Sequence, residues 1–243
     1  MEIWQTRSKG GLASVAWDRL GGLKPDLVLA FGSIDHFLRP GFPETLREVF
    51  PDSLLLGCST AGEITREGVL DGHVVLTAIK FGHPCFRSAT SPLHSMDDSR
   101  QAGGRLGEAL APPHGALPLK GVLLLGLGVR INGSALIRGL AGSVGPEVAI
   151  CGALAGDGGA FARTFTLCDG RISDREIVAL GLYGDGIEIS TASAGGWMPF
   201  GAVRRITRAK DNVLYELDGE PALSIYRRYL GEWAKDLPGS GLL

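Results

Sequence analysis

Runs of apolar residues, each bounded by glycine, proline or polar residues, divide the first half of the chain into predicted strands. The runs are DLVLAF (26–31), SLLLGC (53–58), HVVLTAIKF (73–81) and CFRSATS (85–91). Between the first two, FPETLREVFP has a proline and an acid in its first turn and a proline at its end, which predicts a helix. The last two runs flank the turn-forming segment GHP, so we predict that they form a hairpin.

The same succession of elements returns in the second half, after a predicted helix with Ser95 at its N-cap and the linker-like segment PPHGALP. There GVLLLGLG predicts a strand, NGSALIRGLAGSVG a helix, and EVAICGALAGDGG a strand with a glycine-rich end. The runs IVALGLYG and IEISTAS predict a second hairpin.

The two halves can be aligned with each other. A shift of 94 positions places GCSTAGE (57–63) over CGALAGD (151–157) without a gap, which sets Gly152 under Cys58. The alignment predicts a duplicated β-α-β-β-β unit over residues 26–91 and 120–193, with FARTFTLCDGRIS as a hairpin inserted in the second copy. The predicted fold class is α/β, with the duplicated units forming mixed sheets with flanking helices.

Charge and composition narrow the classes of function. The chain has 243 residues, a formal net charge of −2 and no block of like charges, which excludes a basic nucleic-acid footprint and a polybasic membrane surface. The N-terminus has no apolar signal segment, and the longest apolar run, GVLLLGLGV, is too short to span a bilayer. No two of the four cysteines have C-x-x-C spacing and nothing indicates a secreted disulfide scaffold, so we expect reduced thiols. We therefore expect a cytoplasmic protein with neither a nucleic-acid nor a membrane partner.

The segment GCSTAGE offers a nucleophile, Cys58, at a predicted strand end. A catalytic cysteine needs a base and an orienting group, but all five histidines lie in the first half and none has a recognisable hydrolase setting. A small packed thiol is the competing interpretation. The chain has no metal-binding spacing of cysteines or histidines, and the partial fingerprint Gly126-x-Gly128 has Ile131 where its third glycine should be. We expect no metal site and no nucleotide or other cofactor.

A ligand cup is the interpretation that uses most of the small and polar residues at the two strand ends. Small residues let backbone N–H groups approach a ligand, acids accept hydrogen bonds from an ammonium group, and arginines clamp a carboxylate. The two acids have an alternative role as caps of the turns that follow them. Trp197, in the segment SAGGWMPFG, is either a lid over the site or a packed anchor. The sequence leaves open whether the two turns meet at one cleft. The predicted ligand-binding residues are Cys58, Ser59, Thr60, Gly62, Glu63, Arg130, Gly156, Asp157, Arg163 and Trp197.

Four motifs, GCSTAGEI, GALAGDG, GWMPFG and YELDGEPALSIYRRYLG, occur in this order, and the ordered set resembles the FIST family from about Asp26 to about Gly231. The resemblance implies a FIST N-terminal sensory domain over residues 1–205 and the beginning of a FIST C-terminal domain, apparently truncated, over 206–243. It also implies a non-enzymatic sensory domain of intracellular signal transduction that binds a small molecule. Amino acids are the proposed ligand class, and a histidine kinase is an example of the signalling partner.

Three other functions stay open at this point. The resemblance extends to haem proteins that sense nitric oxide, and His73 and His83 flank the strand VVLTAIKF, although nothing marks either as an axial ligand. A hydrolase or transferase using Cys58 would require a thiolate of low pKa. A scaffold would dock on a partner through the apolar face of the predicted C-terminal helix. The residues of that face are Leu223, Tyr226 and Leu230.

Overall fold

The computed structural model describes residues 1–237 except Pro84, Trp197 and Phe200, and the chain divides into two compact units, Met1–Ser190 and Thr191–Leu243. The first unit holds both large sheets, and the second holds a small sheet and one α-helix. Among the described residues, no helix has both the length and the apolar character needed to cross a membrane.

Over its described residues the first unit has twelve strands and four α-helices. In chain order the strands are β1 (Glu2–Ser8), β2 (Leu27–Ser33), β3 (Leu54–Thr60), β4 (Glu63–Thr65), β5 (Gly68–Leu70), β6 (Val74–Lys80), β7 (Phe86–Pro92), β8 (Leu119–Gly126), β9 (Ala149–Leu154), β10 (Thr166–Cys168), β11 (Arg171–Ser173) and β12 (Glu176–Tyr183). The α-helices are α1 (Ile34–Phe37), α2 (Phe42–Val49), α3 (Ser99–Leu110) and α4 (Gly133–Val144), and 3₁₀ turns span Leu12–Ser14, Trp17–Leu20 and Met96–Asp98.

Of the two long helices, α4 begins where the sequence predicts and α3 does not. The helix predicted from NGSALIRGLAGSVG is confirmed, and Asn132 caps it by accepting the Ala135 N–H on its Oδ1 at 3.0 Å. The helix predicted from Ser95 begins instead as a 3₁₀ turn, so Ser95 does not cap α3, and Asp98 occupies that position.

The strands form two large mixed sheets. The first has the order β1-β6-β2-β3-β10-β11, and the second has the order β7-β12-β8-β9. The pairs β2–β3 and β8–β9 are parallel and enclose a helical segment, whereas the other pairs in both sheets are antiparallel. β4 and β5 form a separate two-stranded hairpin. The predicted α/β class, with mixed sheets and flanking helices, is confirmed.

The two sheets pack face to face between two layers of helices, because successive strand positions point to opposite faces and both faces are apolar. In β2, Val28 and Ala30 join the core with α1 and α2, while Leu27 joins the core that the sheets share. In β8, Leu124 packs with α3 and α4, and Leu125 joins the shared core. Three apolar cores therefore separate four layers of secondary structure.

Both predicted hairpins outside the insertion are wrong. β6 pairs with β1 and β2 in the first sheet, whereas β7 pairs with β12 in the second. Residues 187–193, the predicted partner of β12, form no strand. The segment between β6 and β7 therefore passes from one sheet to the other, an outcome that depends on long-range packing and not on the local turn pattern.

The order β1-β6-β2-β3 in the first sheet matches the order β7-β12-β8-β9 in the second, as expected for a duplicated unit. In this match β7 is the counterpart of β1, the strand at the start of the chain. β10 and β11 form the inserted hairpin that the sequence predicts, and β10 pairs with the outer edge of β3.

The strand registers correct the alignment of the two halves by one residue. Gly57 lies opposite Ala30 in β2, and Gly152 lies opposite Leu124 in β8. At either glycine an added Cβ would lie 1.9 Å from the carbonyl oxygen of the opposite residue, so the two glycines serve the same close approach of parallel strands. Gly152 is therefore the counterpart of Gly57, not of Cys58.

The second unit contains an antiparallel sheet of β13 (Ile206–Lys210), β14 (Val213–Leu217) and β15 (Glu220–Pro221), followed by α5 (Ala222–Leu230) and a 3₁₀ turn over Gly231–Asp236. The strand and the helix predicted on either side of Gly219 are both present. On α5 the buried residue is Ile225, whereas Leu223 and Tyr226 are exposed and Leu230 is half-buried.

Candidate functional site

The two predicted strand-end turns meet directly, and Ser59 is at the centre of the contact. Its buried Oγ donates a hydrogen bond to the Gly156 carbonyl at 2.7 Å and accepts the Phe165 N–H at 3.0 Å. Its carbonyl accepts the Gly156 N–H at 2.8 Å. We call this junction of Ser59, Gly156 and Phe165 the seam, since it ties the ends of β3 and β9 to the start of β10.

Small residues are required in the seam because two backbones touch there. A Cβ added to Gly156 would lie 2.6 Å from the Ala61 backbone nitrogen and 3.0 Å from the Thr60 carbonyl carbon. The glycine therefore admits another segment of the same chain at the distance that a ligand would otherwise occupy. The predicted cup is closed by protein at this point.

The carboxylate of Glu63 is also satisfied by protein groups. Glu63 is buried, with 2% of its surface exposed, at the start of the β4–β5 hairpin. Its Oε1 accepts the Thr60 hydroxyl at 2.6 Å, and its Oε2 accepts the His73 N–H at 3.0 Å. These bonds give Glu63 the capping role that the sequence offered as an alternative.

Asp157 has the corresponding role in the second half. Its Oδ1 accepts the N–H of Phe161 at 3.0 Å, and its Oδ2 accepts those of Ala162 and Arg163 at 2.7 and 3.1 Å. Burial alone would raise the pKa of this carboxyl, but the N–H donors, Ala162 foremost, outweigh it and the pKa lies below the ordinary value of 3.8. The ionised Asp157 thus shapes the loop that leads to Arg163.

Cys58 lies in the layer between the two sheets, with 3% of its surface exposed. Burial raises the pKa of its thiol to about 12. At neutral pH the thiolate that a nucleophile requires is therefore almost absent. The geometry favours a packed small thiol and gives no support to a hydrolase or transferase using Cys58.

The part of the chain that the structure describes contains no cluster of three or more histidine, cysteine or acidic side chains able to hold a metal ion. The two histidines considered for haem have different settings. The His73 ring hydrogen-bonds through Nδ1 to the Asp71 carbonyl oxygen at 2.9 Å, and His83 is exposed. Neither histidine is buried; His83 borders a mostly apolar pocket with Phe86 and Tyr183, but nothing in its setting marks the ring as an axial ligand.

An open cleft of about 630 Å³ lies beside the seam, where the chain leaves β7 and β8. Its volume is in the range of small-molecule sites. We call it the arginine cleft. Its lining residues come from four segments: Pro92, Leu93, His94 and Ser95; Leu127, Val129 and Arg130; Ala162, Arg163 and Thr164; Asp174 and Arg175. Thr164 joins two of these walls, because its Oγ1 accepts the Gly128 N–H at 2.8 Å.

Arg130 lies between β8 and α4 in an unusual backbone conformation. Its φ is +56°, in the left-handed region that non-glycine residues seldom adopt. Asn132, two residues later, is held by its own backbone N–H, which donates to the Ser99 Oγ at 2.9 Å. Strained backbone of this kind is often found at binding sites, where the surrounding structure maintains it. Over the described residues, the Arg130 guanidinium makes no hydrogen bond or ion pair.

Arg163 and Asp174 form an ion pair within the cleft. The Arg163 Nε donates to Asp174 Oδ2 at 2.7 Å, and the guanidinium lies 4.7 Å from the centroid of the Phe165 ring. These contacts hold Arg163 in one orientation. Asp174 is about one-third exposed and is the only acid among the described residues of the lining.

Arg175 and His94 complete the polar lining. The Leu93 N–H donates to the Arg175 carbonyl at 2.8 Å, which fixes the two segments side by side, while the Arg175 guanidinium has no acceptor within the described chain. The loop that carries His94 is anchored from outside the cleft by Arg105. That guanidinium donates to the Pro92 carbonyl at 2.7 Å and to both oxygens of Asp98 at 3.0 and 2.8 Å.

The charge of the cleft favours an anion. Three arginines line it against one carboxylate, and two of the three have no protein acceptor among the described residues. Guanidinium groups bind carboxylates in a bidentate geometry that a lysine cannot reproduce. The cleft can therefore hold a carboxylate, and Asp174 adds an acceptor for a cationic group on the same molecule.

The ten predicted site residues thus separate into groups. Arg130 and Arg163 line the cleft; Ser59 and Gly156 form the seam; Glu63 and Asp157 cap turns; Cys58 is buried between the two sheets. Thr60 is a hydrogen-bond partner of Glu63, Gly62 lies in the same turn with φ of +153°, and Trp197 lies outside the described residues. His94, Asp174 and Arg175 also line the cleft and were not predicted from the sequence. A hint was available, because the last two follow directly after the predicted inserted hairpin.

Comparison with known proteins identifies the family. The FIST N domain model matches residues 26–220, and the chain therefore belongs to the FIST N family. Domains of this family are regarded as sensory domains of signal transduction. An uncharacterized protein of Methanocaldococcus jannaschii is 31% identical over 88 residues, which are 36% of this chain. The match spans 17% of that relative's length.

Proposed function

We propose that this FIST N domain is the ligand-binding part of a cytoplasmic sensory protein, and that the arginine cleft binds a small molecule carrying a carboxylate. The observation that carries the proposal is the presence of two guanidinium groups, those of Arg130 and Arg175, which line one cleft without a protein acceptor among the described residues. Both side chains are exposed, so their guanidinium groups are available to exchange water for a carboxylate, which accepts in a bidentate geometry.

Binding without turnover is the simplest use of this cleft. The described lining contains no cysteine, and its histidine is exposed on a loop. Its hydroxyl groups are those of Ser95 and Thr164, and Thr164 is a buried acceptor for a backbone N–H. A nucleophile with an adjacent base is not assembled by these groups. The proposed output is a change in a signalling partner, such as a histidine kinase.

An α-amino acid is the ligand class that we propose within the carboxylates. Its carboxylate suits Arg130 and Arg175, and its ammonium group suits Asp174, the acid in the lining. Asp174 would then exchange part of its contact with Arg163 for the ligand. The same molecule without its amino group should bind more weakly, because it has no ammonium group to contact Asp174.

The experiment is calorimetric titration of the purified chain with a panel of amino acids and their des-amino carboxylic acids. Arg175→Ala should weaken binding about tenfold or more, since it removes a charge-assisted contact of about 1.5–3 kcal/mol. Arg138→Ala is the matched control, because Arg138 is an exposed arginine on α4 outside the lining. Its affinity should equal that of the wild type.

Asp174→Asn separates the proposal that the cleft binds a carboxylate from the proposal that it prefers an amino acid. It should reduce the preference for amino acids over des-amino acids while carboxylate binding remains. Equal affinities of Arg175→Ala and wild type for a ligand that does bind would place the site elsewhere. No heat with any carboxylate in the panel would reject the proposal.

A further inference from the structure

The outer edges of the two large sheets differ in how they are protected. An exposed sheet edge presents free backbone N–H and C=O groups, and proteins normally protect it with charge, proline or a short strand. β1 carries Glu2 and Arg7, β7 carries Arg87 and Pro92, and β11 is a strand of 3 residues with Arg171. These three edges have the usual protection.

The β9 edge has none of these protective features. Its 6 residues, AICGAL, include neither a charged side chain nor a proline. Gly152, Ala153 and Leu154 are exposed, and among the described strands only β8 pairs with β9. A strand of this length offers a pairing edge of about 20 Å.

The other half of the molecule shows what such an edge accepts. β3 is the counterpart of β9, since each lies parallel to the central strand of its half. The outer edge of β3 is covered by an antiparallel strand, β10, with Cys58 opposite Thr166 and Leu56 opposite Cys168. The same position in the fold is thus compatible with an added antiparallel strand.

The helix beside β9 continues the uncharged surface. α4 carries one charged residue, Arg138, in 12 residues, whereas α3 carries Arg100, Arg105 and Glu108 in a helix of the same length. Ile137 on α4 is 42% exposed and Leu154 at the end of β9 is 45% exposed. A partner on this edge would therefore meet apolar side chains as well as backbone groups.

We propose that β9 is a homodimer interface, in which β9 of a second copy adds antiparallel to this edge about a twofold axis. The uncharged segment is self-complementary, because an antiparallel pair of AICGAL strands brings no like charges together. Four strands from each copy then form one continuous sheet. The α4 helices of the two copies extend the contact on the helical face.

The test is light scattering and sedimentation of the full chain over a wide concentration series. The wild type should pass from monomer to dimer as concentration rises, and Ala153→Lys should remain a monomer throughout, since a charge on this edge opposes pairing. Ala13→Lys is the matched control, because Ala13 is exposed in a 3₁₀ turn away from β9. It should dimerise as the wild type does.

Hydrogen exchange supplies an independent measurement that needs no variant. Backbone amides within 149–154 should gain protection as the wild-type concentration rises, and those of β1 should not. A wild type that stays monomeric throughout, or a dimer whose β9 amides exchange at the same rate as in the monomer, would overturn the proposal. Circular dichroism of Ala153→Lys verifies that its monomer is folded.

Discussion

The seam and the arginine cleft lie next to each other at the ends of the central strands, yet they are built from opposite kinds of residue. In the seam, Ser59 and Gly156 bring two backbones into contact and every named polar group has a protein partner. In the cleft, Arg130 and Arg175 extend from strand-end loops and have no acceptor in the described chain.

The difference shows what small residues at a strand end do and do not indicate. They indicate that something approaches the backbone closely, and here that neighbour is the other half of the chain. A ligand site is better indicated by long charged side chains that the fold brings together and leaves without partners. In this protein the two kinds of position are adjacent, but the segments GCSTAGE and GALAGDG form the seam and give no residue to the described lining of the cleft.

The largest expected effect is on the seam. Gly156→Ala places a methyl group 2.6 Å from the Ala61 nitrogen, and neither backbone can move without breaking the hydrogen bonds of Ser59. We expect a loss of about 3 kcal/mol in the free energy of unfolding, measured by urea denaturation.

Gly142→Ala is the matched control for that substitution. Gly142 lies in α4, and an added Cβ meets nothing within 4 Å. Alanine there should stabilise the protein by about 0.5–1 kcal/mol, because it favours the helix. A Gly156→Ala protein as stable as the wild type would mean that the seam is open in solution and accessible to a ligand.

Much of the fold could be predicted because it depends on local pattern. The buried strands 27–33 and 54–60, the helix 133–144 and the inserted hairpin all follow from runs of apolar residues and turn residues. The separation of β6 and β7 into different sheets could not be predicted in this way. GHP satisfies the local requirements of a hairpin turn, and only the pairing of β7 with β12 shows otherwise.

The candidate site was predicted in part for a similar reason. Arg130 and Arg163 stand next to recognisable strand ends, so their position near a cleft could be inferred. His94 and Arg175 come from segments that are distant in sequence, and the Leu93–Arg175 backbone bond places them together. Without the sheet order, nothing in the sequence connects those two segments.

A smaller effect is expected at Asp157, which supports the cleft from the seam side. Asp157→Asn replaces one of the two acceptor oxygens by a donor, so in either orientation of the amide at least one of the N–H groups of Phe161, Ala162 and Arg163 loses its acceptor. We expect a loss of about 2 kcal/mol at neutral pH. The measurement is urea denaturation at a series of pH values.

The pH dependence identifies the cause of that loss. Because N–H donors keep the folded pKa of Asp157 below 3.8, its contribution is present at neutral pH. It declines as the pH falls below the ordinary value and disappears below the folded pKa. The difference between wild type and Asp157→Asn should therefore shrink in acid, whereas a difference that is constant with pH would show that packing, and not charge, is responsible.

The smallest expected effect on stability is in the cleft, and it has the opposite sign. Arg130→Gly relieves the positive φ of +56°, which should raise the free energy of unfolding by about 0.5–1 kcal/mol. The same change removes a guanidinium from the arginine cleft and should weaken carboxylate binding about tenfold or more. Thermal denaturation and calorimetric titration of one protein preparation measure both quantities. Higher stability with weaker binding is the result expected of a residue held under strain for a ligand. A less stable Arg130→Gly protein would instead assign the arginine a structural role, and Arg175 would then be the arginine of the cleft that is available to a ligand.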